Sequence, residues 1–298
     1  MVKKAKKAKR KKRKPEWIRY VLPVLVVAVL IAVRPVPVSH EKLPAPVPVV
    51  NHIHKLFLKY EVYAATFKSL NSSLKMEIDN KNYSVELEAT TEGFIGKLFP
   101  WKTSTRTTGR VSEKGALIPT LHTETSTWRK NVSVTETHYD AQGKAMKMTV
   151  QDNDKPPVSI DMDNKLTAHA ADVLTGMVAL LQNAGNTHKC TGSSTVFDGK
   201  RRFDITLTDD GKEMLVPSKY AHFEGEAMRC ILKVVPGDGF QPKDLKRGWM
   251  VIQNYTESRN KLPTLWLAKT KDSDDQTVVV RMEIASAYGS AVANISGN

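Results

Sequence analysis

Cysteine is nearly absent: Cys190 and Cys230 are the only two in 298 residues. That excludes a small disulfide-built scaffold and any zinc site made of paired cysteines. No C-x-x-C, H-E-x-x-H, G-x-S-x-G or phosphate-binding glycine loop occurs. Redox, metalloprotease, serine-hydrolase and nucleotide chemistries therefore lack their usual carriers. His52 and His54 have no cysteine or acid set beside them, so they read as surface residues. The acidic groups Asp161/Asp163 and Asp272/Asp274/Asp275 lack the glycine and distal glutamate of a calcium loop and read as turns. The expectation is a protein without metal or cofactor, and not an enzyme.

Long apolar runs are missing too, with one exception. Trp17 to Val33 is apolar apart from Arg19. At the helical rise this stretch reaches roughly 25 Å, against about 30 Å of hydrocarbon, and Arg19 and Arg34 can extend their charges to the interfaces. It follows a lysine-rich start. Residues 1–34 hold 12 of the 45 Lys/Arg and one of the 31 Asp/Glu, so the rest of the chain carries 33 basic against 30 acidic residues. The net charge of +14 is a property of a tail and not of the body, which argues against nucleic acid as partner. Positive charge before an apolar run places the lysines in the cytoplasm and the remainder outside. The alternative is a cleaved signal. Ala28 and Ala32 lie inside the apolar run and Arg34-Pro35 follows it, which makes a poor cleavage site.

The expected organisation is residues 1–16 as a basic cytoplasmic tail, 17–34 as a transmembrane signal anchor, 35–50 as a proline-rich linker and 51–292 as a periplasmic β domain. The linker has five prolines in sixteen positions, the composition of an extended spacer. The inner membrane is thus the first expected partner.

Beyond residue 51 the apolar pattern mostly has period two. Leu58/Tyr60/Val62, Leu74/Met76/Ile78, Tyr83/Val85/Leu87, Met146/Met148/Val150, Met228/Cys230/Leu232/Val234 and Val278/Val280/Met282/Ile284 each form an apolar face opposite a polar one. One wet and one dry face per strand predicts a mainly β fold, with roughly ten antiparallel strands curling into a curved sheet or open β-barrel. One segment breaks the rhythm. Residues 165–185 place Leu166, Ala170, Val173, Leu174, Met177 and Leu181 on one helical face, with Gly185 as the stop. This predicts a single amphipathic helix packed on or inside the sheet.

Two stretches stand out as candidate ligand contacts. In "GFIGKLFPW", 93–101, Phe94, Phe99 and Trp101 crowd a segment that also carries Gly93, Gly96 and Pro100. It reads as a loop or strand bend that is core, the lip of a cavity, or a patch that touches membrane or a partner. In "VFDGKRRFDITL", 196–207, Asp198-Gly199 signals a two-residue hairpin turn. That register pairs Phe197 with Lys200, leaves Lys200 at the wet tip, aims Arg201 at the apolar side and sets Arg202 beside Asp204 on the surface. A charge on the dry side must find a partner carboxylate, reach the rim or meet an anionic ligand. The two cysteines, in the part expected outside the cytoplasm, favour a disulfide over two buried thiols.

Several stretches resemble a family of bacterial exported proteins grouped as domain of unknown function 3108. They are "KYEVYAATFKSLNSSLKMEI", "YSVELEATTEGFIGKLFPWKTSTRTTGRV", "ADVLTGMVALL", "CTGSSTVFDGKRRFDITL" with "RCILKVVPGDGF", and "LPTLWLAKT" with "VVVRMEIAS". The resemblance spans about residues 55 to 290, and the block around Phe197–Leu207 is its distinctive part. It implies an exported β-rich domain and no particular activity. The functional expectation is a membrane-anchored envelope protein that binds an apolar or amphiphilic, lipid-like molecule in its curved sheet. The alternative is a module that docks another envelope protein.

Overall fold

The computed structural model describes residues 54–246, 249–273, 275–286 and 289–296. The expected tail, anchor and linker lie outside the described residues. Among the described residues no helix is long and apolar enough to cross a membrane.

The N-terminal half is an antiparallel meander: β1 (His54–Ala64), β2 (Phe67–Ile78), β3 (Asn82–Thr91), β4 (Trp101–Val111), β5 (Leu117–Trp128), β6 (Asn131–Tyr139), β7 (Ala145–Asp152) and the short β8 (Val158–Ile160). The C-terminal half adds β9 (Ala171–Asp172), β10 (Gly192–Phe197), β11 (Arg202–Leu215), β12 (Gly225–Pro236), β13 (Thr264–Lys269), β14 (Thr277–Ser286) and β15 (Gly289–Ser296). All belong to one sheet ordered β8 to β1, then β15 down to β9. The described strands thus number fifteen, half as many again as the sequence pattern suggests. Threonine-rich strands such as β4 and β5 have no clean apolar alternation, so they were invisible to a search for dry faces. The last strand runs to Ser296, past the expected domain end at 292.

The first and last strands pair in the middle of the sheet, Tyr60 opposite Ile295, so β8 and β9 form its two ends. The ends approach each other through side chains. Phe197 and Ala170 pack with Ala145 and Tyr139. A Cβ at Gly199 would lie 3.0 Å from the Met148 sulfur. The architecture is therefore an open, curved, barrel-like sheet.

Alternation puts Leu56, Leu58, Val62, Met76, Ile78, Val85, Val278, Val280, Met282 and Ile284 on the inner face, all buried. Met146 departs from expectation: it is exposed, and Ala145 takes the inner position. A bulge between His138 and Tyr139 shifts the β6–β7 register there, and a one-residue slip exchanges the faces.

The single predicted helix is two helices, and a further helix that the pattern did not suggest, Trp249–Glu257, follows later in the chain. A short α2, Asn164–Thr167, is separated by His169, at φ 54°, from α3, Val173–Thr187. (The earlier α1, Gly93–Leu98, occupies the stretch expected to be a bend.) Leu166 and Ala170 therefore lie off the α3 face. Asp172 is the N-cap of α3, and His188, in the left-handed region at φ 53°, ends it. Gly185 is not the stop. It lies within α3 where a Cβ would meet Thr277 at 3.0 Å. Gly176 is needed similarly, because a Cβ there would sit 2.4 Å from Val196 Cγ1. These close approaches hold α3 against β10 and β14 while its N-terminal end reaches β4 and β5. The helix thus fills the middle of the curved sheet. Cys190, just after α3, is joined to Cys230 in β12 with 5.3 Å between Cα atoms, both fully buried.

Candidate functional site

A buried polar cluster lies where α3 meets the N-terminal half of the sheet. Asp172 accepts hydrogen bonds from the Thr175 backbone N–H (3.0 Å) and the Thr175 hydroxyl (2.6 Å), which caps α3. Thr107 on β4 donates to the same carboxylate at 2.7 Å. His122 on β5 places Nδ1 3.3 Å from Asp172 Oδ1 and 2.8 Å from the Thr107 hydroxyl. With Nδ1 protonated, His122 donates to Thr107, which passes its own proton toward Asp172. The Tyr83 hydroxyl is 2.8 Å from Thr175 Oγ1, whose own proton goes to Asp172.

The electrostatics follow from burial and this pairing. Burial alone would raise the Asp172 pKa, but the His122 charge and the hydrogen bonds from His122 and Thr175 outweigh it and hold it at about 2. Burial works against charge on His122, and Asp172 overrides it, so its pKa ends above the usual value. Two strand positions along, Glu124 shares the inner face with His122. Burial pushes its pKa up and neighbouring Asp198 adds to this, against a downward pull from His122.

A contiguous band of half-buried inner-face residues runs beside this cluster. Tyr60, Ser72, Leu74 and Leu87 lie on β1 to β3, and Glu124, Ser126, Thr135 and Val150 on β5 to β7. Cross-strand register joins them: Tyr60 faces Ser72, Leu74 faces Leu87, Glu124 faces Thr135 and Thr135 faces Val150. Thr105 bridges Leu87 to Glu124. The corresponding faces of β12 and β14 are shut, with Cys230, Leu232, Val234, Val280 and Met282 all buried. The band lies between the central core and a smaller apolar cluster of Val62, Leu70, Ala89 and Trp101 at one rim, with Phe99 and Trp128 packed on it.

The outer face carries a separate groove of about 330 Å³, lined by Glu86, Ser104, Arg106, Thr108, Leu121, Thr123 and Thr125. Among the described residues no group of three His, Cys, Asp or Glu side chains is placed to hold a metal ion.

The expected ligand contacts are only partly brought together. Trp101 is buried and donates from Nε1 to Ser126 at 3.2 Å, and Phe99 lies 6.4 Å from Trp128 between ring centroids. Phe94 is 68% exposed on α1 and points away from that cluster's interior. Arg201 belongs to a different group. Its Nε and Nη2 donate to Asp198 Oδ2 at 2.8 and 2.6 Å, and its guanidinium sits 5.0 Å from the Phe240 ring centre.

The hairpin register is a correction. Phe197 pairs with Arg202, not with Lys200, because the turn has four residues, Asp198 to Arg201. The Asp198 carboxylate accepts from the Lys200 and Arg201 backbone N–H groups, and Gly199 takes φ 86°. An aspartate that caps its own turn in this way stabilises the longer loop. Arg202 is not paired with Asp204 either. It donates to the backbone carbonyls of Leu166 and Ala168, while Asp204 accepts from Thr195.

The family described as "Protein of unknown function (DUF3108)" matches residues 59–296, which is most of the chain. The chain belongs to this family. No curated protein matches the DUF3108 chain. Among solved structures it is similar to a "Beta-barrel-like Protein of Domain of Unknown Function DUF1849" from Brucella abortus. The two are 10% identical, with 82% of this chain and 95% of the other covered, at a TM-score of 0.42.

Sequence reasoning missed the Asp172–His122 cluster of the DUF3108 domain. One signal was available. Asp172-x-x-Thr175 is the spacing of an N-cap that bonds forward to the third helical residue. It was hidden because a helix drawn from 165 placed Asp172 mid-helix. Nothing local marks His122, since its partner lies fifty residues away in the chain.

Proposed function

We propose that this DUF3108 protein is a non-enzymatic, membrane-anchored envelope protein whose exported domain binds an apolar or amphiphilic molecule inside its curved sheet. One observation carries the reading: the half-open inner band from Tyr60 to Val150 next to an otherwise shut core. Its apolar members, Leu74, Leu87 and Val150, suit a hydrocarbon segment. Ser72, Glu124, Ser126 and Thr135 suit a polar one. The anchoring and the inner-membrane location rest on the lysine-rich start and the apolar run Trp17–Val33. The test is native mass spectrometry of the full chain taken from its own membranes. A bound small amphiphile is expected, and it should be lost in Thr135→Phe, which fills the band. A bare polypeptide mass in both would end the proposal.

A second reading has its own support. Among the described residues β8 is an end strand with a single neighbour, and all three of its residues are exposed, Val158 by 63%. Such an edge suits the addition of a partner's strand. Cross-linking from Val158→Cys in cells should capture an envelope protein if this reading holds.

A further inference from the structure

Glu124 gives the inner band a charge preference. Its side chain stands on the inner face in the middle of β5, with Thr105 opposite on β4 and Thr135 opposite on β6. Among the described residues its carboxylate takes no hydrogen bond, and the charges it senses are those of His122 and Asp198. Both of those already have partners. His122 is held by Asp172, and Asp198 by two guanidinium nitrogens of Arg201. Counting the five groups together in their ionised forms leaves one negative charge, and it is that of Glu124. An ionised carboxylate has acceptors only, and a partly buried one without a donor is costly.

We infer that Glu124 is the headgroup site of the amphiphile proposed above, and that the headgroup is a cation with N–H donors, such as an ammonium. The inference rests on the binding reading. A cationic donor supplies both things the carboxylate lacks, a countercharge and hydrogen bonds, and charge-assisted bonds of this kind are the strong ones. Thr105 and Thr135 flank the position and offer hydroxyl acceptors to the remaining ammonium protons. Leu74 and Leu87 continue the band away from Glu124 toward β2 and give the alkyl chain an apolar path. The burial that favours a neutral Glu124 is reversed once a cation is bound, as for any carboxyl that gains a countercharge.

The experiment titrates octylammonium, octanol and octanoate into the full chain held in phosphatidylcholine nanodiscs, with heats from empty nanodiscs subtracted. Octylammonium should bind about tenfold or more tightly than octanol, and octanoate most weakly. Glu124→Gln should bring octylammonium down to the level of octanol, with an unchanged melting temperature confirming that the fold is kept. Thr135→Phe should weaken all three. If Glu124→Gln leaves the order unchanged, or if octanoate binds as well as octylammonium, the headgroup assignment is wrong. Equal binding of the three that Thr135→Phe abolishes would overturn that assignment alone and leave the binding band standing. No binding by any of them overturns both.

Discussion

Removing the charge of Asp172 tests whether the buried cluster supports the fold in the way its geometry implies. Asp172→Asn keeps an acceptor at the N-cap of α3 and deletes the charge that His122 faces at 3.3 Å. Holding the carboxyl at about 2 instead of its ordinary 3.8 corresponds to roughly 2 kcal/mol in favour of the ionised form. Asp172→Asn should therefore cost about 2 kcal/mol at pH 6. Asp172→Ala also loses the cap, leaves Thr107 and Thr175 without their acceptor and His122 without its countercharge, for a total of about 3–5 kcal/mol. The pH dependence has a definite sign on each side. The depressed Asp172 pKa contributes stability that is complete above about 4 and is lost as pH falls toward 2. The raised His122 pKa contributes stability that is complete below about 6.5 and is lost as pH rises through its folded value. The gap between wild type and Asp172→Asn should thus be widest between about pH 4 and 6.5 and close at both ends. Urea melts followed by tryptophan fluorescence, repeated across pH, measure this directly. A variant as stable as wild type at pH 6, or a gap equally large at pH 3, would refute the paired, ionised cluster.

Three further outcomes are expected. Arg202→Ala should destabilise by about 1.5–3 kcal/mol, because charged donors to the Leu166 and Ala168 carbonyls are lost, while Arg201→Ala, whose pair with Asp198 is partly exposed, should cost about 1 kcal/mol or less; denaturant midpoints that reverse this order would contradict the four-residue turn. Cys190→Ser should lower the melting temperature, by up to about 4 kcal/mol in stability terms for a loop of this length, and mass mapping without reductant should recover the Cys190–Cys230 peptide pair from wild type. A phosphatase fused after Asn298 should be active, with the full-length chain in the membrane fraction; a shortened soluble product would show that the apolar run is cleaved.

Legibility in the sequence tracked how local each cause was. The strands around Leu58, Met76, Val85 and Val280 could be read because a buried face leaves a period-two trace within a few residues. β4 and β5 left no such trace. Their inner positions are Thr103, Thr105, Thr107, His122, Glu124 and Ser126, polar groups admitted to the interior by partners on other elements or by the half-open band. The hairpin at Asp198 was rightly placed but wrongly counted. The choice between a two- and a four-residue turn rested on which backbone N–H groups the Asp198 carboxylate could reach. Its two-residue shift preserved every face assignment in β11, so Phe203, Ile205 and Leu207 are buried as alternation requires.

The sequence by itself determined a mainly antiparallel β domain, a helix within the stretch 165–185, membership of the DUF3108 family and a cysteine pair suited to a disulfide. These depend on periodicity, composition and residue type, which are written along the chain. Only the tertiary structure decided that β1 and β15 meet mid-sheet, that α3 fills the curve, that Asp172 meets His122 and Thr107, and that Tyr83 meets Thr175. Those contacts join residues tens to hundreds of positions apart. They depend on the twist and register accumulated over many strands, and no stretch short enough to be read as a pattern contains them.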